Sequence, residues 1–214
     1  MSDDEVLLHL DFSKNYNCKY SQEVQSLHFG GSRNQITLHT VVMYYKSKTN
    51  DSTSTLNRSL CTLSENPRHD PVAICAHLEP IITEIKKCIP SLSKIHFLSD
   101  GPSMQYRNRK MFFLAGTFLS KVLQVKSLHW HFSERGHGKR APNGIGGCIK
   151  RLADNLVAQG KDIDNINKLL PEIKMNSNID VYMIETKDIE KFESNLPKII
   201  VAFKGTLKVH EVNW

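Results

Sequence analysis

Three carboxylates close apolar, strand-like runs in this chain. Asp11 ends VLLHLD, Asp100 ends KIHFLSD and Glu134 ends VKSLHWHFSE. If those runs are neighbours in one sheet, their C-terminal ends gather three acids, and such a cluster holds divalent cations for phosphoryl transfer. Each acid also has a plainer reading. Asp11 could serve the loop that follows it. Asp100 opens Asp-Gly-Pro, which is turn chemistry and also caps helices. Glu134 heads ERGHGKR, whose glycines let a phosphate approach the backbone, but which reads equally as a solvated basic loop.

Basic side chains accompany the acids. Arg107, Arg109 and Lys110 follow Asp100, Arg135, His137, Lys139 and Arg140 follow Glu134, and Lys150 and Arg151 come next. They are the candidates for contact with a nucleic-acid backbone, set against solvated loops and helix faces. His129 and His131 alternate around Trp130 on one run. That spacing permits a metal pair, though histidines satisfied within a sheet are commoner.

The elements that must position these residues follow from periodicity. Residues 6–11, 35–46, 59–64, 94–100 and 125–134 read as strands, rich in β-branched and aromatic residues or alternating in polarity. Residues 48–58 read as a polar loop, and 134–147 as a Gly-rich basic one. Residues 70–88, 104–122 and 145–159 carry apolar positions at helical spacing, the last ending at Gly160 as a C-cap. Three strands followed by alternating helices and strands predict an α/β fold. Its sheet is mixed and five-stranded, an antiparallel meander extended by parallel strands through right-handed crossovers. Ligands of such sheets bind beyond the carboxyl ends of the parallel strands, where the acids fall. Residues 1–165 are expected to form this core. Residues 166–214, with strand-like 180–185 and 199–214 and a helical turn at 187–194, form a small α+β appendage.

Composition narrows the partners. The chain has 214 residues, 28 Lys+Arg against 22 Asp+Glu, a net charge of +6 and 40% hydrophobic residues. That suits a globular protein with anionic partners. Five scattered cysteines without a C-x-x-C pair argue against a disulfide framework and a zinc knuckle. No apolar run approaches a membrane span, and the acidic start MSDDE lacks the basic opening of a signal peptide. Neither a G-x-x-x-x-G-K-[ST] loop nor a G-x-G-x-x-G fingerprint is present, so no small-molecule cofactor is expected.

The order of elements, with the phrases HLDFSKNYNCKYSQEVQSLHFGG, IHFLSDGPSMQYRNR and HFSERGHGKRAPNGIGGCIKRLADNLV, resembles DDE-type transposases and integrases with a ribonuclease H-like core. The resemblance covers roughly residues 6–165. It implies a metal-dependent polynucleotidyl transferase that cleaves and transfers DNA strands. Two Mg2+ or Mn2+ ions would be held by three acids, in a nuclear protein that works on DNA, with a homo-oligomer as a further possibility. Asp11 and Asp100 match the first two acids. The third in that family lies on the last helix, often seven residues before a lysine. Seven residues before Lys150 stands Asn143, which is not an acid. Either Glu134 is the third ligand, or the chain is a degenerate, domesticated copy that binds nucleic acid or protein without cutting.

Overall fold

The computed structural model describes residues 1–22, 33–49, 52–133, 141–194, 196–201 and 205–214. Strand β1 (Glu5–Asn17) is followed by the long hairpin β2 (Gln35–Thr49) and β3 (Ser52–Ser64), then helix α1 (Pro71–Cys88) and β4 (Lys94–Ser99). Helix α2 (Arg109–Leu114) passes through a π-helical stretch, Ala115–Leu119, into α3 (Ser120–Leu123). Next come β5 (Ser127–Phe132), α4 (Ala141–Ala158), α5 (Ile166–Asn176), β6 (Ile179–Met183), α6 (Thr186–Ser194) and β7 (Glu211–Asn213).

All seven strands form one mixed sheet in the order β6-β3-β2-β1-β4-β5-β7. β1, β2 and β3 are antiparallel neighbours, and β4 and β5 add in parallel beside β1. This is the ribonuclease H-like arrangement expected from the sequence, with the five expected strands at its centre. The segment after residue 165 lengthens the sheet at both edges, β6 pairing parallel with β3 and β7 antiparallel with β5.

Strict alternation gives the sheet two different faces. Val6, Leu8, Leu10 and Phe12 of β1, with Ile95 and Phe97 of β4 and Leu128 and Trp130 of β5, point into a core shared with α1, α2 and α6. Ile36, Leu38 and Val42 of β2 and Leu63 of β3 pack on the opposite face under α4 and α5. α1 begins where Asp70 accepts hydrogen bonds from the amides of Val72 and Ala73. α4 ends where Gly160 takes a φ of +93°, the C-cap expected there.

Several boundaries differ from the sequence reading. β1 continues six residues past Asp11, because Phe12, Ser13 and Tyr16 stay buried and pair with β2 as far as Asn17↔Gln35. β3 starts at Ser52 rather than residue 59, since the Ser/Thr run zips against β2 through Thr49↔Ser52. A polar stretch becomes a strand when a neighbour satisfies its backbone. Residues 104–108 are turns rather than helix, and α2 starts only where Asn108 accepts from the Met111 amide. α4 starts four residues earlier than predicted, taking in Pro142, Asn143 and Gly144.

Candidate active site

The parallel register of β1 and β4 decides the placement of the acids. Val6 pairs with Ile95, Leu8 with Phe97 and His9 with Leu98. Carried two residues further, it sets Asp11 opposite Asp100, the residue directly after β4. Val6, Leu8, Ile95 and Phe97 all enter the α1-side core, so the alternate residues, Asp11 and Asp100 among them, lie on the other face, the one covered by α4. Both are half-buried. Asp11 also pairs with Thr40 of β2, whose hydroxyl donates to the Asp11 carbonyl at 3.0 Å.

α4 is held against this part of β1 by two contacts. Lys150 Nζ donates to Ser13 Oγ at 2.9 Å and to the Lys14 carbonyl at 3.0 Å. Burial, with the charge of Lys14, lowers its ammonium pKa. Gly146 packs so closely that a Cβ there would stand 2.6 Å from Ser13 Cβ and 3.8 Å from Thr40 Cγ2. With Gly144 and Ile145 lining a cavity beside Val42 and Tyr44, the partners of His9 and Leu7, and Lys150 at Ser13 and Lys14, α4 runs in the same direction as β1. Asn143 stands one turn before Gly146 and two turns before Lys150, on the same stripe of the helix.

Under the acids the core is aromatic and dry. Tyr106 is fully buried and its hydroxyl lies 3.0 Å from His39 Nε2, a hydrogen bond between two buried groups. Burial first, then the negative charges of Asp11 and Asp100, push this phenol well above its ordinary range, so it stays protonated beside the acids. His39 is kept neutral by burial and by His77 and His69. His77, whose Nδ1 is 2.7 Å from Thr62 Oγ1, is lowered by burial and by His69 to about 3. Phe12 stacks on His69 at 4.2 Å.

The basic candidates divide into three groups. Arg107 lies against the Asp100 turn, where a Cβ on Gly101 would meet its guanidinium at 2.5 Å, and its head sits 5.1 Å from the Phe132 ring centre. Arg109 and Lys110 stand in the first turn of α2, Arg109 exposed, and Arg151 is exposed on α4. Glu134, Arg135, His137, Lys139 and Arg140 lie outside the described residues. Ser133, just before them, is tied to the site, its amide and hydroxyl both donating to the Ser99 carbonyl at 2.9 and 3.1 Å. His129 and His131 form a ladder with His96, which has Nδ1 3.2 Å from His131 Nε2, and Glu211 of β7 accepts from His129 at 3.2 Å.

The two carboxylates are hard oxygen donors of the kind that suit Mg2+ or Mn2+. Among the described residues, no group of three His, Cys, Asp or Glu is placed to hold a metal ion. The pair is therefore short of a ligand within the described chain. Sequence reasoning missed His39, Ser13 and Thr40, and it read Tyr106 as part of a polar helix start beside Asp100 where the structure buries it. Only the alternation of His39 with buried Leu38 and Thr40 neighbours on β2 carried a trace of them.

The strand order and pairing give the chain a ribonuclease H-like arrangement of its mixed α/β sheet. It belongs to the family described as Domain of unknown function (DUF8701), whose model matches residues 1–214. No curated protein matches it significantly. Among solved structures it is similar to the human cytomegalovirus terminase nuclease domain, with 11% identity over 95% of this chain and 79% of the other, at a TM-score of 0.35. The Mn-soaked, inhibitor-bound form of that domain gives 12% identity over 90% and 73%, at 0.31. No helix among the described residues is long and apolar enough to cross a membrane.

Proposed function

We propose that this chain is a metal-dependent polynucleotidyl transferase or nuclease core of the DDE type, acting on DNA. The observation that supports the reading is the β1–β4 register, whose last pair is His9↔Leu98 and whose extension by two residues sets Asp11 opposite Asp100. These two would hold the cation, with Glu134 as the third ligand. A divalent cation bound there supplies activation of the attacking water or 3′-hydroxyl and neutralises charge at the phosphorus. The protein's own share is positional. Tyr106 and His39 keep the floor dry and uncharged, Lys150 fixes β1 against α4, and Arg107, Arg109 and Lys110 flank the Asp100 side to meet phosphates. Arg135, His137, Lys139, Arg140 and Arg151 extend that contact. Such an enzyme works where DNA is, in the nucleus of a nucleated cell, and as an oligomer if it joins two ends.

The test is Mg2+- or Mn2+-dependent nicking of DNA by the purified chain. Asp11→Asn and Asp100→Asn should each lower it at least a hundredfold, a loss on the scale of removing a group that stabilises the transition state. Cleavage that survives both changes would end the proposal. Asn143 favours a second reading, a copy that binds DNA without cutting, because an amide brings a carbonyl oxygen but no charge to a cation. On that reading the wild type binds DNA in a salt-sensitive way without nicking it, and Asn143→Asp restores metal-dependent cleavage.

A further inference from the structure

A second cavity opens on the same sheet face as the acid pair, beyond Gly146. It has a volume of about 540 Å³ and lies between the N-terminal turns of α4, the middle of β2 and β3, and the α5–β6 connection. Val42 and Ile145 give it an apolar floor. Tyr44, Asn57, Asn176 and Asn178 bring an aromatic ring and three amides, and Gly144 contributes bare backbone. In a chain that is 23% charged, none of the described residues that line this cavity carries a charge.

That lining selects a class of ligand. A phosphate or carboxylate would find no cation among the described lining residues, and an aliphatic ligand would strand the amides. A flat, neutral, aromatic ring with hydrogen-bonding edges satisfies both the ring and the amides, which is the chemistry of a nucleobase. The location agrees. Val42 is two residues along β2 from Thr40, the cross-strand partner of Asp11, so the cavity opens roughly 7 Å further along the same face. We infer that this cavity receives an unpaired nucleobase of the strand whose phosphate lies at Asp11 and Asp100. The inference rests on the nuclease reading and gives it a substrate preference, for single-stranded or locally opened DNA.

Gly144 supplies the test, because a Cβ added there meets nothing within 4 Å. Gly144→Leu should fill the cavity and leave the fold intact, with an unchanged circular dichroism spectrum. Binding is compared for a short single-stranded DNA and for the same strand made abasic throughout. Wild type should prefer the base-bearing strand by about tenfold, the scale of one base stacked on an aromatic ring. Gly144→Leu and Tyr44→Ala should abolish that preference and leave abasic binding unchanged. Should Gly144→Leu fail to fold, Tyr44→Ala carries the comparison. Equal binding of the two strands by wild type, or a preference that survives in both variants, overturns the inference. Nicking is read separately. A base preference in a wild type that does not cut leaves the pocket standing and removes the nuclease, and cutting without a base preference does the reverse.

Discussion

Gly146 is the residue on which the approach of α4 to the acids depends. Its missing side chain is what lets the helix backbone settle on Ser13 and Thr40. An alanine would favour the helix by about 1 kcal/mol, but the overlap with the short, buried Ser13 costs about 1–3 kcal/mol. Gly146→Ala should therefore lower the melting temperature and reduce any nicking activity together. An unchanged melting temperature would show that α4 can ride outward freely. This glycine also explains why α4 was illegible at its start. Pro142, Gly144, Gly146 and Gly147 read as loop punctuation, and only the packing partner across the sheet shows that one glycine is there for close approach. Asp11 and Asp100 were legible because each follows an alternating apolar run, whereas Tyr106 sits in a polar, basic stretch whose burial no local pattern announces.

At the scale of elements, the layer between α1 and the sheet is built from neutral imidazoles. His39 and His77 are fully buried, and burial lowers both. A histidine whose folded pKa lies below its unfolded value of about 6.5 stabilises the protein above that value, and the contribution is lost as pH falls below it. By pH 5 each of the two should have cost about 2 kcal/mol, since the unfolded chain takes up protons the folded chain refuses. Thermal unfolding between pH 7 and pH 5 should show a steep fall in melting temperature, about halved in His77→Gln, since His39 keeps its share. A flat profile would mean that these rings reach solvent. The strands around this layer were legible from alternation. The polar half of β3 was not, because its order comes from pairing with β2 rather than from burial.

Across the whole molecule, the chain after residue 165 guards both edges of the sheet. β6 is fastened by Arg58, which reaches Asp180 at 2.7 Å and Glu84 of α1 at 2.8 Å. β7 covers β5, with Trp214 exchanging backbone hydrogen bonds with Leu128 and its indole lying where a Cβ on Gly116 would be, 2.5 Å away. Removing residues 205–214 should expose the β5 edge and a ring-sized gap beside the π-helical stretch. Light scattering should then report concentration-dependent association, and the melting temperature should fall. β7 falls within the strand-like stretch 199–214, but three residues are too few to show its bounds, and α5 was missed although Ile166, Leu169 and Ile173 share one buried face.

The parallel pairing of β1 with β4 also has a consequence in time. β2 and β3 follow β1 and can zip as a local hairpin, but Asp11 meets Asp100 only after the chain through α1 has been made and has crossed back over the sheet. Contacts so distant in sequence carry a large loop-closure cost and form late. During synthesis, β1 therefore waits with an unpaired flank, and the acid pair comes into being only once the sheet around it is assembled. A stalled or truncated nascent chain ending before β4 would hold one carboxylate and no partner, and so, on the proposed function, would lack the cation site.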